Sequence, residues 1–190
     1  MDVNALFRRT AEGWSDQVRA VGGDAWGRPT PCADWTVRDL VNHVTGEDLW
    51  AVPLLQGSTI EEVGDRFDGD LLGDDPSTRA LEAASAGAAA VDERAPSGGT
   101  VHLSYGEEKV EEYVRQLAAD HLVHGWDLAV ALGESPRLDP ELVSEVAAWF
   151  ADREELYRSV GAVGERHGSH DDPQDDLIAG FGRDPGRGRA

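Results

Sequence analysis

Residues 107–132 read EEKVEEYVRQLAADHLVHGWDLAVAL, and this stretch decides the fold. Val110, Val114, Leu117, Leu122, Leu128 and Ala131 follow the helical period, with Gly125 the only interruption and Gly133 a stop signal. The pattern predicts one long helix over 107–132. A helix of that length with an apolar stripe needs other helices to cover it, so the chain reads as all-α. Inside the stretch, Asp120 and His124 are four residues apart and therefore sit one above the other on a single face.

Working outward, residues 2–21 carry Val3, Leu6, Phe7, Trp14, Val18 and Val21 at mixed three- and four-residue steps, the spacing of a first helix. Gly22 and Gly23 end it, and GDAWGRPTPCADW, 23–35, is a Gly- and Pro-rich loop. Thr36 with Asp39 forms a capping-box pattern that opens a second helix running to about Leu55. The acidic connection GDRFDGDLLGDD, 64–75, reads as solvated loop, and Ser77 to about Arg94 as an Ala-rich third helix of high propensity. Pro96, Gly98 and Gly99 close that helix, after which TVHLSY, 100–105, alternates like a short strand. Beyond the long helix, Asp139 and Pro140 start a further helix through Arg153 or beyond. The expected architecture is a four-helix bundle, residues 1–160, with an additional C-terminal helix and one short extended segment. Residues 161–190 read as an irregular tail packing on the bundle or extending from it.

Composition excludes several classes of function. Seventeen Lys and Arg against 37 Asp and Glu leave a net charge of −20, which repels phosphate backbones and anionic lipid heads. Neither nucleic acid nor membrane is an expected partner; a monomer or a homodimer in the cytoplasm is. The opening MDVNALFRRTAEGW lacks the apolar run of a secretory signal. Cys32 is the single cysteine, so no intrachain disulfide forms and a cysteine-pair zinc knuckle is excluded. Lys109 is the only lysine, and the wealth of Ala, Gly, Asp and Arg points to a GC-rich source genome.

The chemistry-bearing residues leave two readings open. An imidazole and a carboxylate on adjacent turns, Asp120 and His124, can reach one divalent ion if a third ligand arrives from elsewhere. His43, in the middle of the second helix, is the best candidate, with Asp39 one turn before it as a possible acceptor for its other ring nitrogen. The alternative is that His43 and His124 are hydrogen-bonded histidines and Asp120 a surface acid. His121 should point away from the Asp120/His124 stripe, either supporting the site or lying on the surface. His102, His167 and His170 are unassigned, the last two in solvent. Cys32 precedes a helix N-terminus, where a thiol gains nucleophilicity, but it reads first as a small packing residue. Trp35, Trp50 and Trp126 read as packing residues that can also wall a pocket.

Two longer motifs favour the metal. TPCADWTVRDLVNHVTGEDLW, 30–50, resembles the TPC-x-DWTV-x-DL-x-x-H segment of the mycothiol-dependent maleylpyruvate isomerase N-terminal domain and its DinB-like relatives, where the last residue, here His43, is a metal ligand. ADHLVHGWDLAVALG, 119–133, is similar to the second signature of the same family, whose acid and histidine, here Asp120 and His124, complete the site. LIAGFGRDP, 177–185, looks like the ending of the short metal-binding branch. The resemblance implies a DinB-like bundle with a divalent metal ion, zinc first and nickel or another ion second. It also implies mycothiol as cosubstrate and a small electrophile as substrate of an isomerase or S-transferase. A metal-binding, stress-related bundle without turnover and a metal-dependent hydrolase are the rival functions. The isomerase is similar in carrying an acid at the middle position but has Glu where this chain has Asp120.

Overall fold

The computed structural model describes residues 1–189, with side chains through residue 187. Four long helices form the bundle: α1 (Val3–Ala20), α2 (Val37–Leu55), α4 (Pro76–Arg94) and α5 (Val110–Leu132). α1 packs on α5 and α4, and α2 packs on α4 and α5, which closes a ring around the core. Each start is set by local chemistry. Asp2 caps α1, Thr36 and Asp39 form the capping box of α2, and Asp75 caps α4 with Pro76 at its first position. α5 ends at Gly133, whose φ of 74° lets its N–H and that of Glu134 bond back to Val130 and Ala129. From Tyr113 to Ala129 most of α5 is buried, because it is flanked by bundle helices and by α6 (Pro140–Ala151). Ala80, Ala83, Ala84 and Gly87 put small residues on the buried face of α4.

Four departures from the sequence reading have physical causes. Residues 107–109 are not helical: Gly106–Lys109 form β2, antiparallel to β1 (Thr100–Leu103), with Thr100 opposite Lys109. Ser104 and Tyr105 turn the chain back, and burial of Val101 fixes the hairpin on the bundle. The acidic connection is anchored rather than solvated. A four-residue helix, α3 (Ile60–Val63), precedes it, and it buries Leu72 fully among Trp14, Val18, Leu40 and Leu128. Arg38 holds Asp70 at 2.9 Å, and Asn42 bonds both Gly69 and Leu71. The helix after Asp139 stops at Ala151, and α7 (Glu154–Ser159) follows as a separate turn.

The fourth departure lies in the segment read as an irregular tail. It contains α8 (Pro173–Gly180), capped by Asp172, with Ile178 fully buried and Phe181 stacked on Phe150 at 4.0 Å. Its end is a glycine-terminated turn in which Gly182 bonds Ala179 and Arg183 bonds Ile178 through their N–H groups. Gly182 has φ 81°, and an added Cβ would lie 2.8 Å from the Cα of Gly164. Two backbones cross there with no room for a side chain, and that crossing fixes where Arg183 enters the bundle. Among the described residues no helix is long and apolar enough to cross a membrane.

Candidate metal centre

α2 and α5 meet at the three residues singled out by sequence. His43 Nε2 lies 3.7 Å from Asp120 Oδ2, and His124 Nε2 lies 3.3 Å from Asp120 Oδ1. Their three donor atoms all fall within 4.8 Å of one another. Tetrahedral coordination with bonds of about 2.0–2.3 Å sets donors roughly 3.3–3.8 Å apart, so both measured separations suit a divalent cation. Asp120 Oδ2 is buried and accepts no hydrogen bond from the described residues, since His43 at 3.7 Å is beyond reach for one. A buried carboxylate oxygen left with its lone pairs free is a ligand atom waiting for a partner. Donor set, spacing and orphan oxygen together fit a metal.

The electrostatics describe what such an ion would have to displace. Burial alone would lower the pKa of His124, but Asp120, Asp127 and Cys32 outweigh it and hold the imidazole well above its ordinary range. Burial would raise Asp120, yet His124 and His43 keep its carboxyl well below the usual carboxylate range. Without an ion, then, a proton sits on His124 facing an ionised Asp120. Glu47, one turn beyond His43 on α2, is pushed upward by burial first and by Asp120 next. It lines the same cavity, of about 750 Å³, whose walls include Trp35, Tyr113, Trp149, Tyr157 and Phe181. Trp35 lies 5.0 Å from the ring of His43 and stacks on His124 at 6.1 Å, roofing both imidazoles.

Behind His124 lies a second group. Asp127, fully buried, is 3.0 Å from His124 Nδ1 and accepts from the Cys32 thiol at 3.2 Å. Arg183 donates to the same carboxylate at 2.9 Å, so three donors converge on Asp127. In the neutral imidazole, an Nδ1–H donated to Asp127 would leave the Nε2 lone pair for an ion. Spacing can reveal Asp127, since it is three residues from His124 on one helix. No local pattern points to Arg183, 56 residues further on.

Other expectations need correction. Asp39 does not orient His43: its Oδ2 accepts from the Thr36 N–H at 2.9 Å and hydroxyl at 2.6 Å and is spent on the cap. His121 is buried within the bundle, edge-on to Phe7 at 5.2 Å. Its Nε2 is 3.1 Å from Asp48 Oδ1 but misaligned for a hydrogen bond, so the pair is an ion pair only. Burial would lower the His121 pKa, and Asp48 raises it. Gly87 makes room for this pair, because a Cβ there would lie 3.0 Å from Asp48 Oδ1. Cys32 stands in the cavity wall, Trp126 is core, and Trp50 packs on Phe67. His102 faces Glu107 across the hairpin at 3.7 Å, and exposed His167 sits at the cavity rim with His170 bonded to its carbonyl.

Comparison with known proteins bears on this geometry. The family model described as the mycothiol maleylpyruvate isomerase N-terminal domain matches residues 7–129, which include all three donor residues. Two uncharacterised proteins of Mycobacterium tuberculosis, one from strain CDC 1551 and one from strain H37Rv, are each 34% identical to the chain over 150 residues. Those alignments cover 76% of this chain and 75% of each relative. No solved structure matches.

Proposed function

This chain belongs to the mycothiol maleylpyruvate isomerase N-terminal domain family, and on that premise we propose that it is a thiol-dependent metalloenzyme acting on a small electrophile. His43, Asp120 and His124 would hold a divalent ion, zinc first, and three protein ligands are the number found in catalytic rather than structural zinc sites. The ion, when bound, lowers the pKa of a coordinating thiol and so supplies a thiolate near neutral pH. The low-molecular-weight thiol is mycothiol, and the reaction is cis–trans isomerisation or S-transfer. The observation that carries this reading is the convergence of the three donors at the wall of the large cavity.

The chain's own residues do the rest. Asp127 keeps the Nδ1 proton of His124, so Nε2 stays available to the site. Trp35 covers both imidazoles and sheds water from their faces. Glu47, its carboxyl pushed upward by burial, lines the same cavity and is the acid placed for proton transfer there. A cavity of about 750 Å³ lies within the usual ~300–1,000 Å³ of small-molecule sites, enough for a thiol and an electrophile side by side.

The test uses protein purified without an affinity tag. Elemental analysis should find one divalent ion per chain, and His43→Ala and His124→Ala should each abolish it while the helical circular dichroism stays. With mycothiol present, the metal-loaded chain should then convert at least one electrophile from a panel, either to its geometric isomer with the thiol regenerated or to a thioether with the thiol consumed, and neither variant should. Retention of the ion in both variants rejects the ligand set. A full complement of metal with neither thiol-dependent isomerisation nor thiol consumption leaves a metal-binding bundle without turnover, and product formation without thiol assigns a hydrolase.

A further inference from the structure

His124 is shared between two donor triangles. On its Nε2 side stand Asp120 and His43. On its Nδ1 side stand Cys32 Sγ, 4.0 Å from Nδ1, and Asp127 Oδ2, 3.0 Å from Nδ1 and 3.2 Å from the sulfur. These separations bracket the roughly 3.3–3.8 Å of a tetrahedral site, and a thiolate, an imidazole and a carboxylate form a better set for a soft ion than two imidazoles and a carboxylate. By donor chemistry alone the second triangle should win.

A guanidinium already spans it. One nitrogen of Arg183, Nη2, lies 2.9 Å from Asp127 Oδ2, 3.4 Å from Cys32 Sγ and 3.4 Å from His124 Nδ1. Nε donates to the same Asp127 oxygen at 3.2 Å, and Nη1 donates to the Phe181 carbonyl at 2.8 Å. Arg183 is thus held at both ends at the wall of the cavity. Its charge repels a second cation, and its hydrogen bonds to Asp127 Oδ2 and Cys32 Sγ use lone pairs that a metal would take. The residue lies outside the region matched by the family model, and the crossing of Gly182 over Gly164 delivers it.

We propose that Arg183 is a specificity-determining residue, a built-in cation that closes the Cys32–His124–Asp127 triangle to metal and leaves the His43–Asp120–His124 face as the only one of the two open. This rests on the proposed function above for the identity of the open face. Cys32 is then excluded from coordination even though its sulfur belongs to the same hydrogen-bonded cluster.

Cobalt(II) reads the ligands directly, because thiolate coordination adds an intense near-ultraviolet sulfur-to-cobalt charge-transfer band that nitrogen and oxygen ligands lack. The wild-type chain should take up one cobalt without that band. Arg183→Met, which removes the charge and keeps much of the volume, should gain the band together with a second equivalent of cobalt or a shift of the first. Arg183→Lys, which keeps a cation there, should not gain it. A thiolate band in the wild-type chain, or an Arg183→Met chain that is folded yet spectrally identical to wild type, overturns the proposal.

If Arg183→Met does not fold, Cys32→Ser in the otherwise unaltered chain decides. Unchanged cobalt affinity and spectrum support exclusion of the sulfur, and a tenfold or larger loss of affinity refutes it. A wild-type chain that binds no cobalt sinks the assignment of the first triangle alone. Gain of the band in Arg183→Met reports on the second triangle independently.

Discussion

At the scale of single residues, His124 is where the electrostatics and the proposed metal site meet. Its neutral form is the one that could bind an ion, yet Asp120 and Asp127 hold a proton on it when no ion is present, against the pull of burial. A raised imidazole pKa stabilises the fold fully below the ordinary value of about 6.5 and loses that contribution as pH rises through the folded value. The lowered carboxyl of Asp120 works in the opposite direction: its contribution is present above the ordinary carboxylate range and is lost as pH falls through the depressed value. Metal-free protein should therefore melt at its highest temperature between those two limits and at a lower one on the alkaline side. Zinc-saturated protein should gain stability relative to it over that alkaline range, as the competing proton leaves. Thermal melts with chelator and with zinc across pH check this, and parallel curves would contradict it. Asp127→Asn, which removes the charge that fixes the imidazole, should weaken zinc binding about 10–100-fold, measured by competition with a chromophoric chelator. Much of this neighbourhood is legible in the chain. Asp120, His124 and Asp127 are three and four residues apart on one helix, and His43 and Glu47 are four apart on another. Which face of α2 turns toward α5 is not written in either periodicity, so position on the helix offers His43 only as the best candidate and motif resemblance joins it to the group.

At the scale of elements, the helices with caps and stripes are the readable ones. The Thr36/Asp39 box places the start of α2 at Val37, and Asp139 with Pro140 places that of α6. The misread segments are those whose structure depends on distant partners. Glu107 to Lys109 continue the helical pattern but are captured by β1. The run GDRFDGDLLGDD is acidic enough to suggest solvent, yet it delivers Leu72 to the core. Leu72→Ala should accordingly cost about 2–5 kcal/mol, the range for deleting a buried leucine, whereas a solvated loop would lose almost nothing; urea denaturation distinguishes them. The tail carried readable signals as well, Asp172 and Pro173 as a start and Gly182 as a stop, but its abundance of Gly, Asp and Arg hides them. Gly182→Ala should cost about 1–2 kcal/mol for its left-handed backbone and more for the collision with Gly164. Because it also displaces Arg183, it should alter cobalt binding, which a purely local loss of stability would leave untouched.

At the scale of the whole molecule, a net charge of −20 on a 20.5 kDa chain is a self-repelling surface. Raising sodium chloride from about 10 to 150 mM shortens the screening length from roughly 30 to 8 Å, so the melting temperature at pH 7 should rise over that range. A fall would mean that the surface ion pairs, such as Arg9 with Asp139 and Glu141, outweigh the repulsion. Order of synthesis adds a further consequence. On the ribosome, Cys32, His124 and Asp127 all emerge well before residue 183. During that interval the nascent polypeptide has nothing to guard its sulfur, and a scavenging copper or zinc ion would meet an unlocked trap. Faithful maturation then depends on the Arg183 segment docking before such an ion arrives, so cells starved of metal buffering should yield the most mis-metallated product.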